Sequence, residues 1–196
     1  MRDRVLDGVA ELLAHGQDLT YAKVAAAADV PERTVYRYFP SRQDLMTAVV
    51  AWVNERTGKP RGTTRDEVIE LVRQLFPSFD EVAPVVREVL MSPEGLAARL
   101  DDYDERRAAA LAVVDDEAGG LDDATARRVA AVVQLLTSAA AWQALRDYWD
   151  MDGAESAETV AVGLTMLLAG ARAEAQTPER RRRRPPRSSS TTGASR

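Results

Sequence analysis

The chain has 196 residues, with no cysteine and a single histidine, His15, so disulfides, thiolate metal sites and most histidine-rich metal sites are excluded. It carries 26 basic and 31 acidic side chains, but residues 176–196 alone hold seven arginines and one glutamate, which gives this tail a charge of +6 and leaves −11 on the rest. No stretch approaches the ~20 apolar residues of a membrane span, and the N-terminus is unlike a secretory signal. We therefore expect a cytoplasmic protein, and because its body is acidic, any contact with DNA would have to be local.

The first forty residues are predicted to form three helices. Apolar residues recur at helical spacing over about Arg2–Ala14, Tyr21–Ala28 and Glu32–Tyr38. Thr20 stands where it can cap the second helix, Asp29 occupies the turn that follows, and Pro40 ends the third helix.

The rest of the chain also has helical periodicity, without convincing alternating strands. We expect six more helices, at about 42–56, 65–76, 81–91, 93–117, 122–149 and 155–174. Ser41 with Asp44 and Thr64 with Glu67 match capping boxes, and Pro77 is expected to end the fifth helix. The predicted fold class is all-α, with about nine helices: an N-terminal three-helix helix-turn-helix head and a larger C-terminal helical body.

The third predicted helix has two different faces. Val35 and Phe39 lie four residues apart and should face inward, whereas Arg33 and Arg37, also four apart, share the opposite face, with Thr34 at its border. Arginine can pair bidentately with guanine in the major groove. We therefore expect Arg33, Thr34 and Arg37 to read bases.

Further polar groups flank this face. Tyr36, Tyr38 and Arg42 can reach phosphates, which set the register of a complex rather than its sequence, and the first amides of the helix after Ser41 add an anion site. The alternative is an ordinary solvated helix with its two tyrosines in the core.

Several of these residues match the pattern of a known family at the right spacing. They are Gly16, Leu19-Thr20, Val24-Ala25, Val30, Thr34-Val35-Tyr36, Tyr38-Phe39, Ser41-Arg42 and Leu45. On these residues, positions 1–50 resemble the DNA-binding head of TetR-type (TetR/AcrR) transcriptional regulators.

The resemblance implies that the start of the second helix, including Thr20 and Tyr21, touches DNA as it does in some members, although Ala22 cannot donate a hydrogen bond. Two positions depart from the family pattern. Asp29 replaces the turn glycine, and aspartate tolerates the left-handed conformation better than most residues. Arg42 replaces the lysine that usually meets a phosphate, with its charge kept.

The last predicted helix is apolar on two sides. One stripe comprises Ala157, Val160, Ala161, Leu164, Leu167, Leu168 and Ala171, and part of another comprises Val162, Met166, Ala169 and Ala173. Such a helix needs two partners, its own body and most simply a second copy, which Gly163 and Gly170 would allow to approach closely. The alternative is a monomer whose second stripe packs on its own body.

Dimers of the family are four-helix bundles of the last two long helices. The resemblance therefore implies a homodimer through the predicted helices 122–149 and 155–174. A two-fold dimer presents two heads to a near-palindromic DNA operator, with half-sites about one helical turn or a multiple apart.

In this family the body usually also holds an effector pocket. The candidates here are Phe76, Phe79, Met91, Tyr103, Gln134, Ser138 and Trp142. The last three are spaced by four, so a continuous helix would place them in one row that could hold a small organic ligand. The alternative is core packing, with hydroxyls bonded back along the helix.

Three segments are thus predicted: a DNA-binding domain at 1–45, an effector-binding and dimerisation domain at 46–175, and a low-complexity, disordered basic tail at 176–196. The arginine run at 180–184 could grip DNA phosphates, remain solvated, or fold back on the acidic body.

The predicted function is a ligand-responsive transcriptional regulator, most simply a repressor released by an unknown small-molecule effector, with no cofactor, metal site or catalytic residues. The acidic run at 101–105 lacks an accompanying nucleophile–base pair or metal spacing, so it is interpreted as a solvated helix face rather than part of an enzyme. The remaining alternative is a helical protein-interaction module without sequence-specific DNA binding.

Overall fold

The computed structural model describes residues 1–58 and 61–177. These residues form eleven helices and no strand: α1 (Arg2–Ala14), α2 (Tyr21–Ala27), α3 (Glu32–Tyr38), α4 (Arg42–Thr57), α5 (Arg65–Glu81), α6 (Ala83–Met91), α7 (Pro93–Leu100), α8 (Tyr103–Ala118), α9 (Asp123–Leu136), α10 (Ala139–Trp149) and α11 (Gly153–Gln176). The predicted all-α fold is confirmed. None of these helices is long and apolar enough to cross a membrane. The predicted tail lies, from residue 178 onward, outside the described residues.

The three short helices at the N-terminus form the head. α2 packs on both α1 and α3, and Val24, Val35 and Phe39 are almost completely buried between them. Asp29 closes the turn before α3 in the left-handed conformation, with φ of 49°. Arg4 on α1 donates hydrogen bonds to the Asp29 carboxylate at 2.9 Å and to its carbonyl at 3.2 Å. Aspartate therefore adopts the turn conformation for which the family pattern has glycine.

Side-chain caps begin α2, α4 and α5 where the sequence predicts them. The Thr20 hydroxyl accepts the amide of Lys23, the third residue of α2, and both Ser41 with Asp44 and Thr64 with Glu67 form complete capping boxes. These caps satisfy amides that have no partner within the helix. They fix the point at which α4 leaves the head to pack on α6 and α7 of the body.

The prediction that Pro77 ends the fifth helix is wrong, since α5 continues to Glu81. A proline inside a helix removes a hydrogen bond and costs about 3 kcal/mol. In this protein the turn after the proline is held in place by its own contacts. Phe79 is buried and stacks on Phe76 with ring centroids 6.1 Å apart, and the next residue, Asp80, is hydrogen-bonded to two other helices.

The helix predicted at 93–117 is divided into α7 and α8 by a turn at Asp101 and Asp102. Aspartate is a poor residue for a helix interior because its side chain competes for local hydrogen bonds. The Asp102 carboxylate instead forms ion pairs with Arg61 and with Arg106.

The helix predicted at 122–149 is likewise divided, into α9 and α10, and these two breaks account for eleven helices instead of about nine. Ser138 is extended at the break, with φ −97° and ψ 159°. Its hydroxyl donates to the Leu135 carbonyl at 2.7 Å, and the Thr137 hydroxyl donates to the Val133 carbonyl at 3.0 Å. Consecutive hydroxyl residues thus bond back to the preceding turn and redirect the chain.

One carboxylate, that of Asp80 on α5, joins three helices of the body. Its Oδ1 accepts hydrogen bonds from Trp142 Nε1 at 3.0 Å and from Arg146 Nη1 at 2.6 Å, both on α10. Its Oδ2 accepts the amide of Gly153, the first residue of α11, at 2.6 Å. The backbones meet so closely here that a Cβ added to Gly153 would lie 2.4 Å from the Phe76 carbonyl oxygen. α11 then packs along α5.

Asp80→Ala should lower the free energy of unfolding by about 2–4 kcal/mol, because the Trp142 indole and the Gly153 amide lose their acceptor and Arg146 loses its ion partner. Denaturant unfolding followed by circular dichroism measures this change. Asp116→Ala, at an exposed position of α8, is the control and should stay within about 0.5 kcal/mol of the parent chain. Equally small effects of both substitutions would contradict the role of Asp80.

Candidate nucleic-acid interface and internal cavity

α3 has one buried and one exposed face, as its sequence predicts. Val35 is fully buried, whereas Arg33 and Arg37 are exposed. Neither arginine forms an ion pair with a residue in the described ranges. The Arg37 guanidinium lies over the Tyr38 ring, 5.1 Å from its centroid, which limits its conformations. The exposed face of α3 therefore presents two cations, of which Arg37 is held over the Tyr38 ring.

Thr34 is a poor candidate for reading bases. Only 8% of it is exposed, because it turns toward the buried side of α3. The base-reading role predicted from its border position on the helical wheel is therefore not supported by its burial. Tyr36, by contrast, is 51% exposed, and the predicted flanking position of its phenol is accessible.

Tyr21 and Thr20, at the start of α2, are engaged in holding the head together. The Tyr21 hydroxyl donates to the Phe39 carbonyl at 2.8 Å, and the Tyr21 ring contacts Tyr36 edge-on, with centroids 4.4 Å apart. Burial raises the pKa of the Tyr21 phenol, so it stays a neutral donor. Thr20 is exposed and accepts the Lys23 amide at 3.4 Å. Tyr21 thus positions the end of α3 and the ring of Tyr36.

Arg42 is not the free phosphate ligand that its sequence position suggests. Its Nη1 donates to the Leu19 carbonyl at 2.7 Å, within the head. Its Nη2 donates to Glu88 of α6 at 3.0 Å, and its Nε lies 3.5 Å from the carboxylate of Glu94 on α7. This side chain therefore links the head to two helices of the body, and a phosphate would have to compete with two carboxylates for it.

Residues from all seven helices from α4 to α10 line a partly open cavity of about 450 Å³ in the body. This volume lies within the ~300–1,000 Å³ range of small-molecule sites. Its walls are mostly aliphatic, with Val53, Val68, Leu71, Leu75, Val86, Val89 and Val113 among them. Four of the seven residues predicted for an effector pocket line it: Phe79, Tyr103, Gln134 and Ser138.

The other three predicted pocket residues lie elsewhere. Phe76 and Trp142 are completely buried in the core, and Met91 is 75% exposed at the end of α6. The row of Gln134, Ser138 and Trp142 assumes one continuous helix. Because the chain leaves the helix at Thr137 and Ser138, Trp142 turns toward Asp80 and away from the cavity.

Charged residues of the cavity were not among the sequence candidates. Arg61, Arg99, Asp102 and Arg106 all line it. No periodicity distinguishes them in the sequence, because the surrounding segment has the charge pattern of a solvated helix. Only the turn between α7 and α8 brings this segment against α4 and the residues that precede α5.

The outer surface of α11 is apolar, and none of the described residues covers it. Ala157, Val160, Leu164 and Leu168 of its first stripe are buried in the body. In the second stripe Val162 is 54% and Met166 71% exposed, and a Cβ added to Gly170 would meet no atom. The alternative that the second stripe packs on this chain's own body therefore does not hold. Other exposed apolar residues lie on α9 and α10: Val132, Leu135, Tyr148 and Trp149.

Comparisons with known proteins agree with this architecture. The family model described as "Bacterial regulatory proteins, tetR family" matches residues 5–49. The chain is 30% identical over 99 residues to the HTH-type transcriptional repressor LfrR of Mycolicibacterium smegmatis, covering 49% of this chain and 52% of that protein. It is 30% identical over 97 residues to the nucleoid occlusion factor SlmA of Shewanella denitrificans, covering 45% of this chain and 49% of the relative. The aligned part thus spans about half the length of these relatives.

A solved structure extends the likeness beyond the head. The crystal structure of the multidrug binding protein EbrR complexed with imidazole superposes with a TM-score of 0.57, covering 85% of this chain and 93% of that chain. At 19% sequence identity this match shows the fold alone. The family model thus shows that residues 5–49 are similar to the head of TetR-family bacterial regulatory proteins, and the solved structure shows that the fold of most of the remaining chain is similar too.

Proposed function

We propose that this protein is a ligand-responsive, DNA-binding transcriptional regulator that acts in the cytoplasm as a homodimer. It represses by occupying a near-palindromic operator and is released when a small organic effector enters the body. Residues 1–45 bind DNA, and residues 46–175 bind the effector and the second copy. The observation that carries this proposal is the exposed face of α3, where Arg33 and Arg37 stand without ion partners in the described chain on a helix anchored by Val35.

The electrostatics favour this face as the DNA contact. The chain outside its basic tail carries −11, so most of the surface repels a polyanion. Arg33 and Arg37 are spaced to contact neighbouring base pairs in a major groove, and the exposed phenols of Tyr36 and Tyr38 flank them to contact phosphates.

Arg33→Ala or Arg37→Ala should relax specificity at one base pair per half-site. The binding free energy that separates the preferred base from the other bases at that position should fall by about 1–3 kcal/mol. Selection of bound DNA from a random pool, followed by titration of the selected and singly mismatched sites, measures this effect. Arg107→Ala, at an exposed position of α8, is the control for loss of one positive charge. Equal weakening on all sequences, with base preference intact, would assign the two arginines to phosphates instead.

Dimerisation through the outer face of α11 is supported by its uncovered apolar stripe. Val162, Met166, Ala169 and Ala173 are exposed along one side of the helix. Glycines at 163 and 170 leave room for a second helix to approach, since no described atom would lie within 4 Å of a Cβ added to Gly170. In a two-fold arrangement the same stripe meets itself, so both copies are covered by one interface.

Met166→Glu should dissociate the dimer, because the two-fold axis brings a pair of carboxylates into an apolar interface. Sedimentation velocity or light scattering at several concentrations gives the mass. Met91→Glu is the matched control, since Met91 is equally exposed but lies on α6. A dimeric Met166→Glu variant, or a monomeric Met91→Glu variant, would place the interface elsewhere.

Arg42 offers a route by which the body can influence DNA binding. Its guanidinium bridges the head to Glu88 and Glu94, which belong to the two helices that also form walls of the cavity. In the DNA-bound form we propose that Arg42 exchanges these carboxylates for a phosphate. An effector that draws α6 and α7 into the arrangement seen here would then withdraw one phosphate contact from each head.

The double substitution Glu88→Gln and Glu94→Gln should therefore strengthen operator binding several-fold and steepen its salt dependence by about one phosphate per head. Fluorescence anisotropy with a labelled operator at several salt concentrations measures both effects. In an Arg42→Ala background the same double substitution should have little effect. A gain of the same size without Arg42 would mean that the two glutamates act only through their general repulsion of DNA.

A further inference from the structure

One cation in the cavity lacks an ion partner among the described residues. Arg61 pairs with Asp102 and Glu105, and Arg106 pairs with Asp102. Arg99, on α7, forms no ion pair in this part of the chain, and its Nε is fully buried without a hydrogen-bond partner. Burial, and secondarily the charge of Arg106, lowers the pKa of the Arg99 guanidinium, but arginine remains protonated in proteins.

An arrangement of this kind is costly unless something compensates it. The Arg99 side chain as a whole is only partly buried, but its Nε is out of reach of water, and a buried donor without an acceptor loses its hydration. The lining contains three guanidinium groups and one carboxylate, and Glu105 outside the lining neutralises another. Among the described residues one positive charge therefore remains at the cavity, and Arg99 carries it.

The remaining lining indicates the rest of the ligand. Leu71, Leu75, Phe79, Val86 and Val113 form apolar walls. The nearby hydroxyls of Thr137 and Ser138 already donate to backbone carbonyls of α9. An occupant of about this volume therefore needs one charged end and a largely apolar body.

We propose that the effector of this protein is an amphiphilic organic monoanion whose acidic head binds Arg99 and whose apolar body fills the cavity. This inference rests on the proposed role of the cavity as the effector site and specifies the chemical class of the effector. A carboxylate or sulfonate matches a guanidinium through paired charge-assisted hydrogen bonds. An organic cation would leave Arg99 unpaired and add a second positive charge, and a neutral ligand would leave the charge uncompensated.

The test uses the full chain and two probes with the same aromatic framework. Anilinonaphthalene sulfonate carries one negative charge, phenylnaphthylamine carries none, and both become fluorescent in apolar surroundings. The parent chain should bind the sulfonate more tightly than the neutral probe. Arg99→Gln should weaken sulfonate binding roughly tenfold or more, as expected for a lost charge-assisted hydrogen bond, with neutral-probe binding unchanged or improved.

Two further variants keep the result interpretable. Arg107→Gln, on the exposed side of α8, removes a positive charge outside the cavity and should leave sulfonate binding unchanged. Arg99→Lys retains the charge and should preserve part of the preference for the anion, even if Arg99→Gln fails to fold. Thermal unfolding of each variant identifies such a failure.

Equal binding of the two probes by the parent chain, no binding of either, or an anion preference that survives Arg99→Gln would overturn the proposal. An anion preference that survives Arg99→Gln would also result if the sulfonate binds the exposed apolar face of α11 instead of the cavity. The proposed function has its own readout, because anisotropy with selected DNA measures operator binding without any probe. If the parent chain binds no selected DNA, the proposed regulatory function is wrong, but the charge preference of the cavity can still be measured with the two probes.

Discussion

The carboxylate of Asp80 is the constraint on which the arrangement of the body depends. It receives three donors from two helices, the Trp142 indole, the Arg146 guanidinium and the first amide of α11. The direction in which α11 leaves this point decides which of its stripes is buried against α5 and which is left uncovered. The same carboxylate holds α10 after the break at Ser138, and the first turn of α10 forms part of the cavity wall. The Asp80 carboxylate, near the end of α5, therefore helps to place both the wall of the cavity and the outer apolar surface of α11.

A second charge arrangement connects the head with this body. Arg42 stands at the first turn of α4, a helix that begins in the head and then lies against α6 and α7. Its contacts to Glu88 and Glu94 are only partly buried, so each is weak by itself and exchangeable with another anion. Exchangeable contacts suit the proposed regulatory role better than a strong, fully buried pair would, because a difference of a few kcal/mol between two states is enough to shift their populations.

Most helix starts and the core of the head could be predicted from sequence, because capping boxes and four-residue apolar spacing are local signals. Ser41 with Asp44 and the burial of Val35 are examples. The failures are cases in which tertiary contacts outweigh local preference: α5 continues through Pro77 because Phe79 and Asp80 are held from outside the helix. Of the candidate sites, the exposed positions of Arg33 and Arg37 on α3 could be predicted from a helical wheel. The missing ion partner of Arg99 could not, because it depends on which side chains the turn at Asp102 brings next to it.

The positions of the tryptophans have a spectroscopic consequence. The chain contains three, and each lies at a different junction. Trp52 on α4 donates to Asp7 of α1 at 3.2 Å and is stacked under Arg56, so it reports on the joint between head and body. Trp142 is completely buried against Asp80, and Trp149 is 70% exposed at the end of α10. Intrinsic fluorescence in this protein therefore combines three separable signals, with Trp149 open to aqueous quenchers and Trp142 shielded from them.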